Sequence, residues 1–213
     1  MEQYLRPTEF FDFEHPLVQS FALETTAGMH DPVAMATALY LRSRDDFRYD
    51  PYSFSTHPST FRASHVMESG ASYCIPKAVL LGAAARAVGI PSRLGLADVM
   101  NHISEPRFVE KLRSQVFAMH GYIELFLEGK WVKATPAFNA ALCHKMQVDV
   151  LDFNGREDSI FQPYDASGRH FMQYLKEYGH FADVPHAFII TNLQAAYPHL
   201  KDLLESGQWI SRD

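Results

Sequence analysis

The sequence predicts an α+β fold, with N-terminal helices packed on an antiparallel sheet. Three observations lead there. Segments with helical start signals fill the chain up to Gly89, the pattern turns to strand-like alternation after Pro91, and Glu128-Gly129 joins two β-rich runs as a hairpin. A chain of 213 residues that is 47% hydrophobic can bury one substantial core. A single domain over 1–213 is therefore expected, with no internal repeat or low-complexity tract.

Taken in order, residues 8–13 (TEFFDF) read as a strand or extended arm that His15-Pro16 ends. Pro16 suits the first turn of a helix through Ala22, and Asp31-Pro32 is an N-cap followed by proline. Val33, Ala36, Leu39 and Tyr40 then supply an apolar face up to Arg44. The Ser-, Thr- and Pro-rich stretch 53–60 is a loop, and a short helix over 60–67 leads to a turn at Gly70. The next helix starts at Cys74 and ends at Gly89, with Pro91 beyond it. Strands follow over 92–99, 120–127 and 130–134, and the polar segment 106–117 between them is a helical insert or loop. Further on, a helix is expected over 171–178 and a last one over 193–204, interrupted by Pro198.

Charge and composition exclude several functions. A net charge of −6 and a pI near 6.0 give no electrostatic footprint for nucleic acid. The polar N-terminus is unlike a secretory signal, and no apolar run is long enough to span a bilayer. Two cysteines without an export signal point to free thiols in a reducing cytoplasm. No cofactor is expected, and a homo-oligomer is compatible with the sequence.

Cys74 opens a small-residue apolar helix directly after a Gly/Ser stretch. Helix N-termini carry unpaired amides and partial positive charge, which favour a thiolate and can donate to an oxyanion. A thiol nucleophile also needs a base, and the base needs a third group to hold its tautomer. His120, on the strand before the hairpin, is the best base, and the third group should lie on or just past the returning strand, within 134–139. Tyr73, beside the thiol, either lines a substrate cleft or packs. Arg93 and Lys77 are expected to pair with carboxylates, and Lys77 could also raise the potential near the thiol. The alternatives are plain ones: a cysteine on an Ala-rich helix is commonly core. Cys143-His144 read as strand neighbours facing opposite ways, hence structural. His57, His65, His102 and His120 with Cys74 match no compact zinc spacing.

Five pieces in order then resemble the transglutaminase-like superfamily, the papain-like cysteine enzymes whose core runs Cys, His, Asp. They are the helix with Ala36, Leu39 and Tyr40 leading into Phe47-Arg48-Tyr49-Asp50-Pro51; the nucleophile segment Gly70-Ala71-Ser72-Tyr73-Cys74-Ile75-Pro76-Lys77-Ala78; Gly89-Ile90-Pro91-Ser92-Arg93; His120-Gly121-Tyr122-Ile123-Glu124-Leu125; and Gly129-Lys130-Trp131-Val132. The resemblance spans 34–139 and leaves 140–213 as a C-terminal extension, a possible cap on the cleft or dimer surface. It implies a papain/transglutaminase-like fold and catalysis by Cys74 and His120. One position departs from it: Thr135, followed by Pro136, stands where the family places aspartate. Threonine can accept from imidazole but carries no charge, and Asn139 is the nearest polar substitute.

The function so implied is acyl transfer through a Cys74 thioester, hydrolysing a peptide, protein or small amide substrate. The Cys74 amide would serve the oxyanion, with a second donor from the Tyr49–Ser53 region, Tyr52 included, or from Tyr73. Cross-linking to an amine is the variant reaction; the large cross-linking enzymes carry β-sandwich domains and calcium sites that this sequence lacks. A non-catalytic binding or scaffold domain is the competing class.

Overall fold

The computed structural model describes residues 1–101, 105–160 and 172–211. Its axis is the Cys74 helix, α4 (Cys74–Ala87), in which every residue from Ile75 to Arg86 is buried. A helix so rich in alanine and glycine is slim enough to be packed on all sides. Three helices surround it: α1 (Pro16–Thr25), α2 (Pro32–Asp45) and α3 (Ala63–Ser69). Asp31 caps α2 as predicted, its carboxylate accepting from Val33 N and Ala34 N at 3.4 and 3.1 Å. Gly70, with φ +66°, ends α3 in the left-handed conformation that glycine adopts without a Cβ penalty.

Two short strands, β1 (Arg48–Tyr49) and β2 (Ala71–Ser72), pair in parallel and bring Tyr49 beside the entry to α4. The main sheet contains β3 (Ser92–Asn101), β4 (Val116–Leu127), β5 (Lys130–Ala134) and β6 (Met172–Phe181) in the antiparallel order β5-β4-β3-β6. Between β3 and β4 lies α5 (Pro106–Leu112), and after β5 comes α6 (Ala140–Met146). The chain closes with α7 (His186–Ala196) and α8 (Lys201–Glu205), separated by a turn at Pro198. The larger core holds α4 with Ile123, Leu125 and Leu127 of β4; a smaller one holds Ala97, Val99, Tyr122, Cys143, Val148 and Met172. Among the described residues no helix is long and apolar enough to cross a membrane.

Several expectations are corrected. Residues 8–13 form bends rather than a strand. The helix expected over 171–178 is, in its described part, the edge strand β6. Tyr174, Leu175 and Tyr178 fit a helical stripe, but Met172, Tyr174 and Tyr178 also share one face at period two. Pairing with the free edge of β3 selects the second pattern, burying Met172 and leaving Leu175 45% exposed. Cys143 and His144 lie on α6, not on a strand, the first buried and the second exposed. Among the described residues Lys77 forms no ion pair with a carboxylate: its Nζ donates to the carbonyls of Arg44 and Phe47 at 2.8 and 2.5 Å, fastening the end of α2 to α4. Arg93 does pair with Glu124. The segment 161–165, considered as a cap on the cleft, lies outside the described residues, as does His102.

The far end of α4 is tied by Arg86, which is 3% exposed. Its guanidinium donates to Arg6 O (2.8 Å), Ser92 Oγ (3.1 Å), Ser92 O (2.9 Å) and Ala182 O (2.7 Å), and lies 4.0 Å above the Phe11 ring. One cation thus joins the N-terminal arm, the start of β3 and the end of β6. Burial pushes its pKa down to about 10. Arg86→Leu, which strands these acceptors, should lower unfolding free energy by about 3–5 kcal/mol in urea titration. A loss under about 1 kcal/mol would show that water replaces the guanidinium.

Candidate active site

Cys74 is the first residue of α4, with Tyr73 in extended conformation as its N-cap. No side chain caps this end, so its amides stay directed at the thiol and whatever binds there. β4 passes close by because residue 121 is glycine. A Cβ there would lie 2.8 Å from Ile75 Cα, inside any van der Waals contact. The approach sets the Gly121 amide near the Cys74 sulfur and makes His120 the next residue along the strand.

His120 does not open β4, as the sequence suggested; it follows a bulge within the strand. The β3–β4 ladder pairs Ala97 with His120 and then Val99 with Phe117, so β4 spends one residue more than its partner, and Met119 has φ +59°. The freed backbone is held from two sides. Asp98 Oδ1 accepts from Met119 N at 3.1 Å, and its Oδ2 accepts from the Tyr178 hydroxyl at 2.8 Å. The Tyr197 hydroxyl accepts from Ala118 N and donates to Val116 O, both at 2.8 Å. Bulges re-aim side chains, and this one fixes the direction in which His120 leaves the sheet. Sequence reading missed Asp98, Tyr197 and Gly121; a lone carboxylate in an apolar strand was the one available signal.

Cys74 and His120 line one chamber of about 70 Å³. Tyr73 lines it too, as do Phe54, Phe117, Phe138 and Trp209. A larger vestibule of about 460 Å³ shares Tyr49, Pro51, Asn101, Phe108, Phe117 and Phe138 with it and carries Arg107, Lys145 and Glu105 at its rim. Tyr52 belongs to the vestibule alone, where its hydroxyl bonds Glu105 Oε2 at 3.0 Å. Tyr73, 6% exposed, has no hydrogen-bond partner for its hydroxyl among the described residues. Burial first, and then the Cys74 sulfur, push the phenols of Tyr49 and Tyr73 well above their ordinary range, so both remain neutral donors.

Neither candidate for the third role lines the chamber. Thr135 is buried just past β5, outside the chamber lining. Its backbone N–H donates to Ser159 O (3.0 Å), its carbonyl accepts from the Tyr40 hydroxyl (3.3 Å), and its hydroxyl meets the phenol of Tyr174. Asn139 lies at the start of α6, where its Oδ1 accepts from Tyr49 N at 3.2 Å. That carboxamide oxygen holds β1 against α6. No group of three His, Cys, Asp or Glu suited to a metal occurs among the described residues.

The helix N-terminus was expected to lower the thiol pKa. Burial outweighs it and pushes Cys74 up to about 11, although the amides of Gly121, Ile75 and Cys74 pull the other way. Burial likewise pushes His120 down to about 3. At neutral pH both groups are therefore uncharged, a thiol and a neutral imidazole lining one chamber, and the wide separation of their pKa values opposes proton transfer between them in the resting state.

The family model of the transglutaminase-like superfamily matches residues 19–136. The chain belongs to that superfamily. Among solved structures, a protein from Cytophaga hutchinsonii, provisionally named a cysteine protease, aligns with a TM-score of 0.50 and 15% identity over 83% of this chain and 52% of that one. This chain thus spans about half the length of that protein, and the likeness is one of fold. A protein from Parabacteroides distasonis, provisionally named a protease, aligns with a TM-score of 0.38 and 14% identity over 63% of this chain and 26% of that one. No curated protein matches the chain. Family and fold together make the chain one of the transglutaminase-like cysteine-enzyme type, and the match includes Cys74 and His120.

Two pH dependences follow from the buried pair. Alkylation of Cys74 by iodoacetamide, read on its own peptide by mass spectrometry, should climb steadily from pH 7 toward the thiol pKa near 11. A plateau already reached by pH 8 would mean a preformed thiolate. His120 has a folded pKa below its unfolded one. Its contribution to stability is complete above the unfolded value near pH 6.5 and is lost as pH falls toward 3. Over that window wild type should lose stability relative to His120→Gln with a slope approaching about 1.4 kcal/mol per pH unit. Parallel curves in acid denaturation would refute it.

Proposed function

We propose that the protein is a cysteine-dependent acyl-transfer enzyme, a hydrolase of peptide or amide bonds, with Cys74 as nucleophile and His120 as general base. One observation carries the reading: a half-buried helix-N-terminal thiol and a neutral imidazole line the same chamber, and Gly121 allows their two elements to meet. Cys74 Sγ attacks the substrate carbonyl while His120 takes the thiol proton. The amides at the start of α4 and the Tyr73 hydroxyl are the donors for the oxyanion. As the C–N bond breaks, the leaving amine takes its proton from His120. Water, deprotonated by His120, then resolves the thioester to a carboxylic acid and restores the thiol. An amine in place of water would give transamidation.

A second reading is favoured by Thr135. Threonine at that position carries no charge with which to stabilise an imidazolium, as a binding or scaffold domain would tolerate. The two separate by acylation. Activated p-nitrophenyl esters should add an acyl mass to Cys74 in the intact protein, and His120→Ala should slow this by about 10²–10⁴-fold. Tyr73→Phe should slow it by about tenfold or more through loss of one donor. Equal acylation rates in wild type and His120→Ala would defeat the enzyme reading.

A further inference from the structure

The chamber beside Cys74 has a composition and size that select a substrate group. Its walls are mostly rings and aliphatic chains; apart from Cys74 and His120, their polar side chains are Tyr49, Tyr73, Asn101, Tyr197 and Trp209. The Tyr197 hydroxyl is spent on the β4 bulge, and the Trp209 indole N–H donates to Pro51 O at 3.1 Å. Both residues therefore offer the chamber their rings. Phe54 packs against Trp209 at 4.6 Å and against Tyr73 at 5.2 Å, and Phe108 stacks on Phe117 at 5.6 Å. A peptide group threaded among these rings would leave its N–H and C=O unpaired, at a cost of about 1–3 kcal/mol each. Hydrocarbon carries no such penalty.

Size narrows the choice. The space of about 70 Å³ is roughly half the ~150 Å³ of an apolar cavity that takes up benzene. A short aliphatic group fits, and a long chain does not. The vestibule, at about 460 Å³ and rimmed by Arg107, Lys145 and Glu105, has room and polarity for the rest of a substrate.

From this geometry we propose that the group attached to the scissile carbonyl is a short branched aliphatic one, such as isobutyryl or isovaleryl or the side chain of a valine- or leucine-like residue. It lies in the chamber while the leaving portion extends through the vestibule. Part of these walls, Phe138, Met172, Leu193, Tyr197 and Trp209, comes from outside the family-matched residues 19–136, while Phe54, Phe108, Leu112 and Phe117 come from within them. Selectivity is thus shared between the superfamily core and the C-terminal elements that close the chamber.

The proposal rests on the acyl-transfer reading, and its test separates the two. The full chain is offered matched p-nitrophenyl esters of isovaleryl, octanoyl and succinamoyl groups, and the rate of mass gain at Cys74 is measured. In each case Sγ bonds to the acyl carbon, the ester C–O bond breaks, p-nitrophenolate leaves and His120 accepts the thiol proton. The isovaleryl ester should acylate about tenfold or more faster than the other two. Trp209→Ala, which opens the chamber, should bring octanoyl to within about threefold of isovaleryl; Leu193→Phe, which fills it, should slow isovaleryl by about tenfold. Circular dichroism melting establishes that each variant is folded, and two variants of opposite sign guard against loss of one. Equal or faster acylation by octanoyl or succinamoyl esters in wild type, or an unchanged ratio in the folded variants, overturns the selectivity but leaves the thioester reading standing. If no ester acylates Cys74, the acyl-transfer reading falls and the selectivity with it.

Discussion

The meeting of α4 and β4 at Gly121 is the contact on which the rest of the molecule depends. A β-carbon at that position would lie 2.8 Å from the backbone of Ile75. Only a glycine lets the open end of a buried helix approach a strand so closely. The consequences run outward. The amides of α4 and of Gly121 converge on one sulfur, His120 lies one residue away, and the other end of the same helix is tied down by Arg86. A helix buried along its whole length cannot tilt or slide to relieve a clash, so the spacing of thiol and imidazole is set by packing rather than by a flexible loop.

Two opposing physical terms meet at the thiol. The helix terminus and nearby amides favour the anion, while removal from water favours the neutral form. Burial prevails at Cys74 and at His120 alike. The pair is held uncharged, and in the proposed reaction charge develops only once a carbonyl has arrived. Thr135 is buried as well, its backbone held by Tyr40 and Ser159. An aspartate in its place would bring a buried charge in need of a partner, which the uncharged threonine does not.

How much could be read in advance varied with the range of the controlling interaction. The ends of α2 and α4 were legible because Asp31, Pro32 and Gly89 act within a turn or two of their own positions. The β4–β5 hairpin was legible for the same reason, through Glu128-Gly129. β6 was misread as a helix because Tyr174 and Tyr178 satisfy both periods, with Leu175 in the helical one and Met172 in the strand one, and only the waiting edge of β3 distinguishes them. The bulge before His120 left no local mark: its supports, Asp98 and Tyr197, are separated from it by many residues. Asn139 was chosen on sequence distance alone, and only the fold shows that its carboxamide oxygen accepts from Tyr49 N.

The sequence by itself determined the α+β class, the superfamily and the helix on which Cys74 stands, and it marked His120 as the candidate base. Those properties reside in caps, turns, period and residue order, all short-range or ordinal. Tertiary structure alone decided the protonation state of the thiol, the aim of His120 from a bulged strand and the walls of the chamber. Each of these depends on what the chain brings together from distant positions: desolvation by a surrounding core, amides caught by Asp98 and Tyr197, and a C-terminal tryptophan set against Phe54. A local pattern can specify a helix terminus, but how much water reaches it is a property of the whole fold.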